Sequence, residues 1–436
     1  MALAATGSTD LAEELTKASG KELASVGVHW PTAQWQMSTQ IHTTPSSTLT
    51  RSLASCKPSP MDCSGFVAPC AKHFPGHGDT NVDSHLALPV ISKSRNDLYS
   101  NELIPFQRLI SSGIPSIMTA HVALPEITGS LVPASLSRQI TTDLLRTEMQ
   151  YNGVIVTDCL EMDAVMKTYG SERAALESLK AGADIAMICH TLDKQIGAVE
   201  LVWEAVRSGE LSLDELQKSS RRIEQLKRDF AGSWDDFLST SSPDEAFAAI
   251  WSQLLDENKL ISQQGYQRST TIIRNPPSVL PLSSTDTVLL FTPIMESLNR
   301  AVDDAEDVLR TANGLLRNTK GASYTAFASA IARRRRCSTS FIPINFLPFL
   351  RTHRPSSYLP CAMPTAAPGK STVSETYYSS SEGEHYFAFW DCTEDIDLEN
   401  IAHLASFEFT IPALETAASV IFGEIPAQGD VPVTIT

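Results

Sequence analysis

The chain has no apolar run near the roughly 20 residues that cross a bilayer, so no membrane-spanning segment is expected. It has no cysteine pair at CxxC spacing. Cys56, Cys63, Cys70, Cys159, Cys189, Cys337, Cys361 and Cys392 are scattered, which argues against a zinc ribbon or a redox motif and for buried, reduced thiols in a cytosolic protein. Basic residues are in deficit: 34 Lys and Arg against 50 Asp and Glu leave a formal charge of −16. Such a surface repels phosphate backbones and anionic lipids, so neither nucleic acid nor a membrane is an expected partner. The opening MALAATGSTDLAEELTKASGKELA is amphipathic and carries acids. It is not a signal peptide, and a cytoplasmic location is expected. Glycine-rich phosphate cradles are missing too, apart from a lone GxG at Gly76–Gly78, a weak signal.

What remains is ordinary globular material. Hydrophobic residues make up 42% and charged residues 19% of 436 positions, which suits two or three domains. Residues 8–26 read as a helix capped by Ser8 or Thr9, with Leu11, Leu15 and Leu23 on its apolar side. Gly27-Val28-His29-Trp30 opens like a strand and then stops. Residues 31–66, rich in Ser, Thr, Pro and Gln, show no periodicity. From 65 to 230 the pattern is regular. Strand-like runs at 66–72, 116–122, 153–158 and 183–189 alternate with helical stretches near 94–112, 136–151, 171–181, 193–208 and 212–230. Strands that are apolar throughout, each followed by a helix, predict a parallel sheet buried on both faces. A β/α barrel and an open doubly wound sheet both fit. A helical connector is expected over 231–265. A smaller α/β segment follows over 266–436, with strands at 270–274 and 287–291, and a helix, turn and short strand over 413–436. Order is hard to see at about 333–385. The run Arg333–Arg336 within it reads as a solvated face rather than a nucleic-acid patch.

The stretch KHFPGHGDTNVDSH, Lys72 to His85, concentrates three histidines, a lysine and two aspartates around Pro75, Gly76 and Gly78. No helix runs through Pro75-Gly76, so this is a loop that gathers polar groups at a strand end. The other strand ends carry His121, Asp158 and His190. Polar residues at the C-terminal tips of parallel strands form the site in either candidate architecture. His73, His77, Asp79, Asp83 and His85 are residue types that also bind zinc. No second group of ligands is evident, so neither a metal nor a cofactor is expected. Read blandly, His121 and His190 are satisfied structural histidines, Glu161 and Asp163 are first-turn helix acids, and Cys159 is a buried thiol.

KHFPGHGDTNVDSH, Leu88-Pro89, TAHVALP (119–125) and GVIVTDCLEM (153–162) together resemble glycoside hydrolase family 3, most of all its β-N-acetylglucosaminidase-like branch. The resemblance is densest over 65–230, and the ending IFGEIPAQGDVPVTIT resembles the end of the family's second domain. It implies a (β/α)8-type barrel domain over 1–230 and an α/β sandwich-like domain over 266–436. The implied mechanism is retaining. Asp158 is the nucleophile, His85 the acid/base and Asp83 its partner. Lys72 and His73 match sugar-binding positions, and His121 lies on the site rim. The chemistry agrees: retention needs a carboxylate nucleophile and a separate proton donor, and an imidazole titrating near neutrality serves both proton steps. The expected substrate is a carbohydrate ending in N-acetylglucosamine. Phosphorolysis is the alternative, because His85 repels an incoming phosphate less than a carboxylate would. A catalytically dead fragment is the other.

The chain also departs from the family. Members have further barrel strands before the helix seen here at 8–26, and an arginine-bearing loop where this chain has 31–66. Both 31–66 and 333–385 are expected to be out-of-frame or mis-spliced sequence. An incomplete barrel is therefore expected, with exposed strand edges, poor solubility and weak activity.

Overall fold

The structure is a computed structural model. It describes residues 2–32, 65–77, 84, 87–233, 235, 245–276, 279–282, 287–293, 322–334, 337–342, 374–379, 384–389, 401–408 and 410–431. The chain divides into two compact units, Ala12–Lys259 on one side and Met1–Leu11 with Leu260–Thr436 on the other.

In the unit Ala12–Lys259 four strands form one sheet in the order β1 (Cys70–Phe74), β2 (Ser116–Thr119), β3 (Val154–Cys159) and β4 (Ile185–Met187), every neighbouring pair parallel. Each strand overlaps a run read from the sequence, β1 and β3 reaching two residues and one residue beyond it, and helices join them. The stretch expected as one helix near 94–112 is two, Arg95–Ser100 and Leu103–Ser111. A wide, π-type helix, Gln139–Glu148, precedes β3. Leu192–Ser208 and Leu213–Phe230 follow β4. The sheet is apolar on both faces. Ala71, Ile117 and Ile155 pack with Phe106, Ile140 and Leu144 from the helices. Cys70, Met118 and Val156 pack on the other side with Trp30 and Met187. Each such fully buried large side chain contributes about 1.5–3 kcal/mol.

Among the described residues the four strands do not close into a barrel. β1 and β4 are edges, and all three residues of β4 are half-exposed. Residues 28–30 form no strand, but they are tied to the approach to β1: the His29 carbonyl accepts from the Ala68 amide at 2.7 Å. The Trp30 indole donates to Ser116 Oγ at 2.9 Å, and Ser116 donates on to the Pro69 carbonyl at 2.8 Å. The expectation for 31–66 falls, except at its ends, outside the described residues.

The other unit holds a mixed sheet of six strands. They are β5 (Thr271–Arg274), β6 (Thr287–Pro293), β7 (Cys337–Ile342), β8 (Ser374–Ser379), β9 (Glu384–Phe389) and β10 (Ile401–Ala405), in the order β5-β10-β8-β9-β6-β7. β6 runs parallel to β7 and β9, and the other pairs are antiparallel. Helices Ala322–Arg334 and Ile411–Ile421 cover it through Tyr324, Phe327, Ile331, Leu414 and Ile421. Ala5 of the first short helix packs on Ala405 and Phe407. Within 333–385 lie β7 and β8, and β9 starts at its end. Arg333 and Arg334 end a helix at the solvent-facing surface, as read, and pair with Glu415 at 3.0 Å and Glu424 at 2.6 Å, cations at the favourable pole of the helix dipole. No strand forms over 424–431.

Candidate active site

Asp158 is the fifth residue of β3, at its C-terminal tip. The next helix, Asp163–Tyr169, starts five residues later with Met162 at its cap position, so Asp158 is not a helix cap. Asp158 Oδ1 accepts the Cys159 amide at 2.8 Å. Oδ2 lies 3.5 Å from His73 Nε2, too long for a strong hydrogen bond. Burial works against the carboxylate's charge. His73, His121, the Cys159 amide and Lys72 outweigh it and hold the carboxyl below its ordinary range. His73 itself is driven down to about 3, first by burial and further by Lys72, against the pull of Asp158. At neutral pH the imidazole is therefore uncharged, and no ion pair ties up Asp158.

Lys72 and His73 belong to β1, at the same end of the sheet. The Lys72–His73 and Phe74–Pro75 peptide bonds are cis. His73 meets His77 edge-on, ring centroids 5.8 Å apart. His77 Nε2 is 3.0 Å from Ser84 Oγ. Ser84 is buried, and its carbonyl accepts the Ala164 amide at 3.3 Å, in the helix that follows Asp158. Asp83 and His85 lie outside the described residues; Ser84, the residue between them, is anchored at the Asp158 end of the sheet. The turn at Gly76 has φ +133°, and a Cβ there would stand 2.7 Å from Glu102 Cγ, so glycine is required twice over. Glu102 is buried and held by Lys93 at 2.5 Å.

His121 follows the tip of β2 and is completely buried. Its Nε2 lies 2.9 Å from the Cys159 carbonyl and its Nδ1 2.7 Å from Ser135 Oγ. A carbonyl only accepts, so Nε2 carries a proton and donates to it, while Nδ1 pairs with the Ser135 hydroxyl. Both ring nitrogens are thereby spent on protein partners. His121 braces the residue next to Asp158. Two readings change. Glu161 is no helix-dipole acid: its Oε2 accepts the His190 amide at 2.6 Å and Oε1 lies 3.4 Å from Lys194, tying the tip of β3 to that of β4. Cys189 is exposed, whereas Cys70 and Cys159 are buried as expected. The Cys189 thiol donates to the Cys159 sulfur, which lowers the Cys159 pKa and raises that of Cys189.

Sequence reasoning missed Ser84, Ser135 and Glu102. Ser84 was legible in principle, as a small hydroxyl residue inside the polar loop. Nothing local marks Ser135 or Glu102, which matter only through contacts brought by folding.

The site thus presents a carboxylate held ionised at a strand tip beside the neutral imidazole of His73. Residues 1–226 match the glycosyl hydrolase family 3 N terminal domain. A β-hexosaminidase A of Pseudoalteromonas piscicida is 31% identical over 245 residues, covering 50% of this chain and 40% of that protein. A β-hexosaminidase of Idiomarina loihiensis is 34% identical over 181 residues, covering 38% and 52%. The chain thus spans about half or less of the length of these relatives. Among solved structures, a family 3 β-N-acetylglucosaminidase from Paenibacillus sp. str. FPU-7 superposes with a TM-score of 0.71 at 25% identity, over 99% of this chain and 81% of that one. A fungal multi-domain family 3 β-N-acetylglucosaminidase with a GCN5-related glucosamine N-acetyltransferase region gives 0.73 at 27% identity, over 100% and 50%. With more than half its residues matched to the family's N-terminal domain, the chain belongs to glycoside hydrolase family 3.

Proposed function

We propose that this chain carries a retaining glycosidase site that removes terminal β-linked N-acetylglucosamine through a covalent glycosyl-enzyme intermediate. The observation that carries the reading is Asp158: a half-buried carboxylate at the tip of β3, held ionised, with neutral His73 beside it. In this reading Asp158 attacks the anomeric carbon. His85 protonates the leaving oxygen and then deprotonates water, and Asp83 orients its ring. Lys72 and His73 grip sugar hydroxyls, and His121 acts as a positioning residue through the Cys159 carbonyl. The anchoring of Ser84 to His77 and to Ala164 supports a proton donor at this end of the sheet. The names of the similar proteins support the sugar.

An aryl β-N-acetylglucosaminide tests it. The expected result is release of the aryl group by the parent chain, abolished in Asp158→Ala and His85→Ala. A fluorinated, slowly turning-over N-acetylglucosaminide should leave a mass adduct on the peptide containing Asp158. Turnover surviving Asp158→Ala overturns the assignment. Sugar 1-phosphate as the main product in phosphate buffer makes the enzyme a phosphorylase instead.

A further inference from the structure

Beside the carboxylate, two thiols and an imidazole meet. Cys159 ends β3, and Cys189 and His190 follow β4 by two and three residues. The two strands are parallel neighbours with Cys159 opposite Met187, so both tips lie at one end of the sheet. One ligand atom from each of Cys159, Cys189 and His190 lies within 4.8 Å of the others. Both cysteines are free. Around a tetrahedral zinc ion, with Zn–S about 2.3 Å and Zn–N about 2.0 Å, neighbouring ligand atoms stand roughly 3.3–3.8 Å apart. A contraction of about 1 Å, within the reach of side-chain rotation, closes the present triangle to that size.

The frame around the triangle is already braced. The Cys159 carbonyl accepts from His121 at 2.9 Å, and the Leu160 amide donates to the Met187 carbonyl at 2.8 Å. The His190 amide donates to Glu161 at 2.6 Å, and Gln195 donates to the Ile188 carbonyl at 2.9 Å. Hydrogen bonds of this kind hold ligands in place around metal sites. Cys159 is buried while Cys189 and His190 are exposed, so an ion enters from solvent on one side. Two sulfurs and one imidazole nitrogen favour a soft or borderline d10 cation over magnesium or calcium, which take oxygen.

We propose that Cys159, Cys189 and His190 form a three-ligand site for one thiophilic d10 cation of the zinc class, with water in the fourth position. The site is independent of the glycosidase reading, since it uses neither Asp158 nor the sugar-binding residues as ligands.

The test uses the full chain, reduced and stripped with a chelator, with no sugar present. Cadmium is titrated while the ultraviolet thiolate-to-metal absorption is followed, and zinc is titrated against a chromophoric chelator. The expected result is binding with thiolate ligation in the parent, weakened about 100-fold or more in Cys189→Ser and in His190→Ala. Both substitutions are at exposed positions and should leave the melting curve intact. Asp158→Asn should bind as the parent does. The proposal is overturned if the parent shows no thiolate–cadmium band, or if Cys189→Ser and His190→Ala both bind like the parent, which places the ion on other residues.

Discussion

Asp158 and Asp184 are carboxylates of the same parallel sheet, and the fold treats them in opposite ways. Asp158 sits at the C-terminal tip of β3; Asp184 immediately precedes β4, at the other end. The Asp184 side chain is wholly buried and saturated with donors. Its Oδ2 accepts the Ile155 amide at 2.8 Å and the Arg146 guanidinium. Its Oδ1 accepts Ser219 Oγ at 2.7 Å and Arg222 Nε and Nη2 at 2.9 and 2.6 Å. Arg146 goes on to donate to the Tyr151 carbonyl at 3.0 Å, which fastens the turn before β3. Asp158, among the described residues, accepts one amide and faces a neutral ring at 3.5 Å. A carboxylate between two guanidiniums has its lone pairs committed and serves as a rivet. One with an uncommitted oxygen stays available for bond formation. The difference lies in the partners and not in the residue type.

The comparison breaks most visibly under paired substitution. Asp158→Asn should cut turnover roughly 10^3-fold or more, the scale seen when a nucleophile is removed, and leave stability within about 1 kcal/mol, the scale of one lost hydrogen bond. Asp184→Asn should do the reverse. It leaves two half-buried guanidiniums short of their wholly buried counter-charge, a change that costs about 3 kcal/mol. Denaturant unfolding and turnover on both variants read this out. Equal loss of stability in the two variants would erase the distinction between rivet and nucleophile.

A second, smaller effect sharpens it through pH. His73 binds a proton only near pH 3 in the folded chain, against an ordinary 6.5 when unfolded. Between those values the unfolded chain holds the extra proton. Stability is therefore full above about pH 6.5 and falls as the pH drops towards 3, by about 1.4 kcal/mol per pH unit at the steepest. Asp158, also lowered, adds a loss of the same sign, but only below the ordinary carboxylate range. His73→Gln should flatten the melting temperature between pH 6.5 and 4 while leaving the steeper fall below 4. An unchanged slope in that variant would mean that His73 is not buried neutral.

Much of this was legible beforehand, for physical reasons that can be named. Apolar runs such as Gly153-Val-Ile-Val-Thr157 carry the burial of both sheet faces in their own composition, so the four strands and their common polar end were readable. The position of Asp158 at a strand tip was readable because it closes such a run. For His121 the run before it says which end of the sheet it occupies, but not that Ser135 and the Cys159 carbonyl engage both its nitrogens. The Asp184 rivet was not read at all. Arg146, Ser219 and Arg222 come from helices 35–38 residues away, and only the packed helices bring them together. β10 was missed for a similar reason. Ile401–Ala405 is short, and its place between β5 and β8 follows from pairing across more than a hundred residues on one side.

The smallest effects come from two serines that mirror the two carboxylates. Ser219 donates to Asp184 at 2.7 Å, and Ser84 lies 3.0 Å from His77 in the loop between Asp83 and His85. Ser84→Ala removes the contact with His77, and Ser219→Ala removes the bond to Asp184 and a longer one accepted from Arg222 at 3.3 Å, each hydrogen bond worth about 1 kcal/mol. At Ser219 the loss should appear as stability, about 1–2 kcal/mol in unfolding, with kcat/KM unchanged. At Ser84 the loop keeps its carbonyl anchor on Ala164 but loses the link to His77. About 1 kcal/mol then appears as a roughly fivefold drop in kcat/KM, with KM moving less than kcat if the loop positions the proton donor rather than the sugar. Ser84→Thr, which keeps the hydroxyl, should recover part of it. If Ser84→Ala matches Ser219→Ala in both measurements, the contact with His77 holds the fold and not the site.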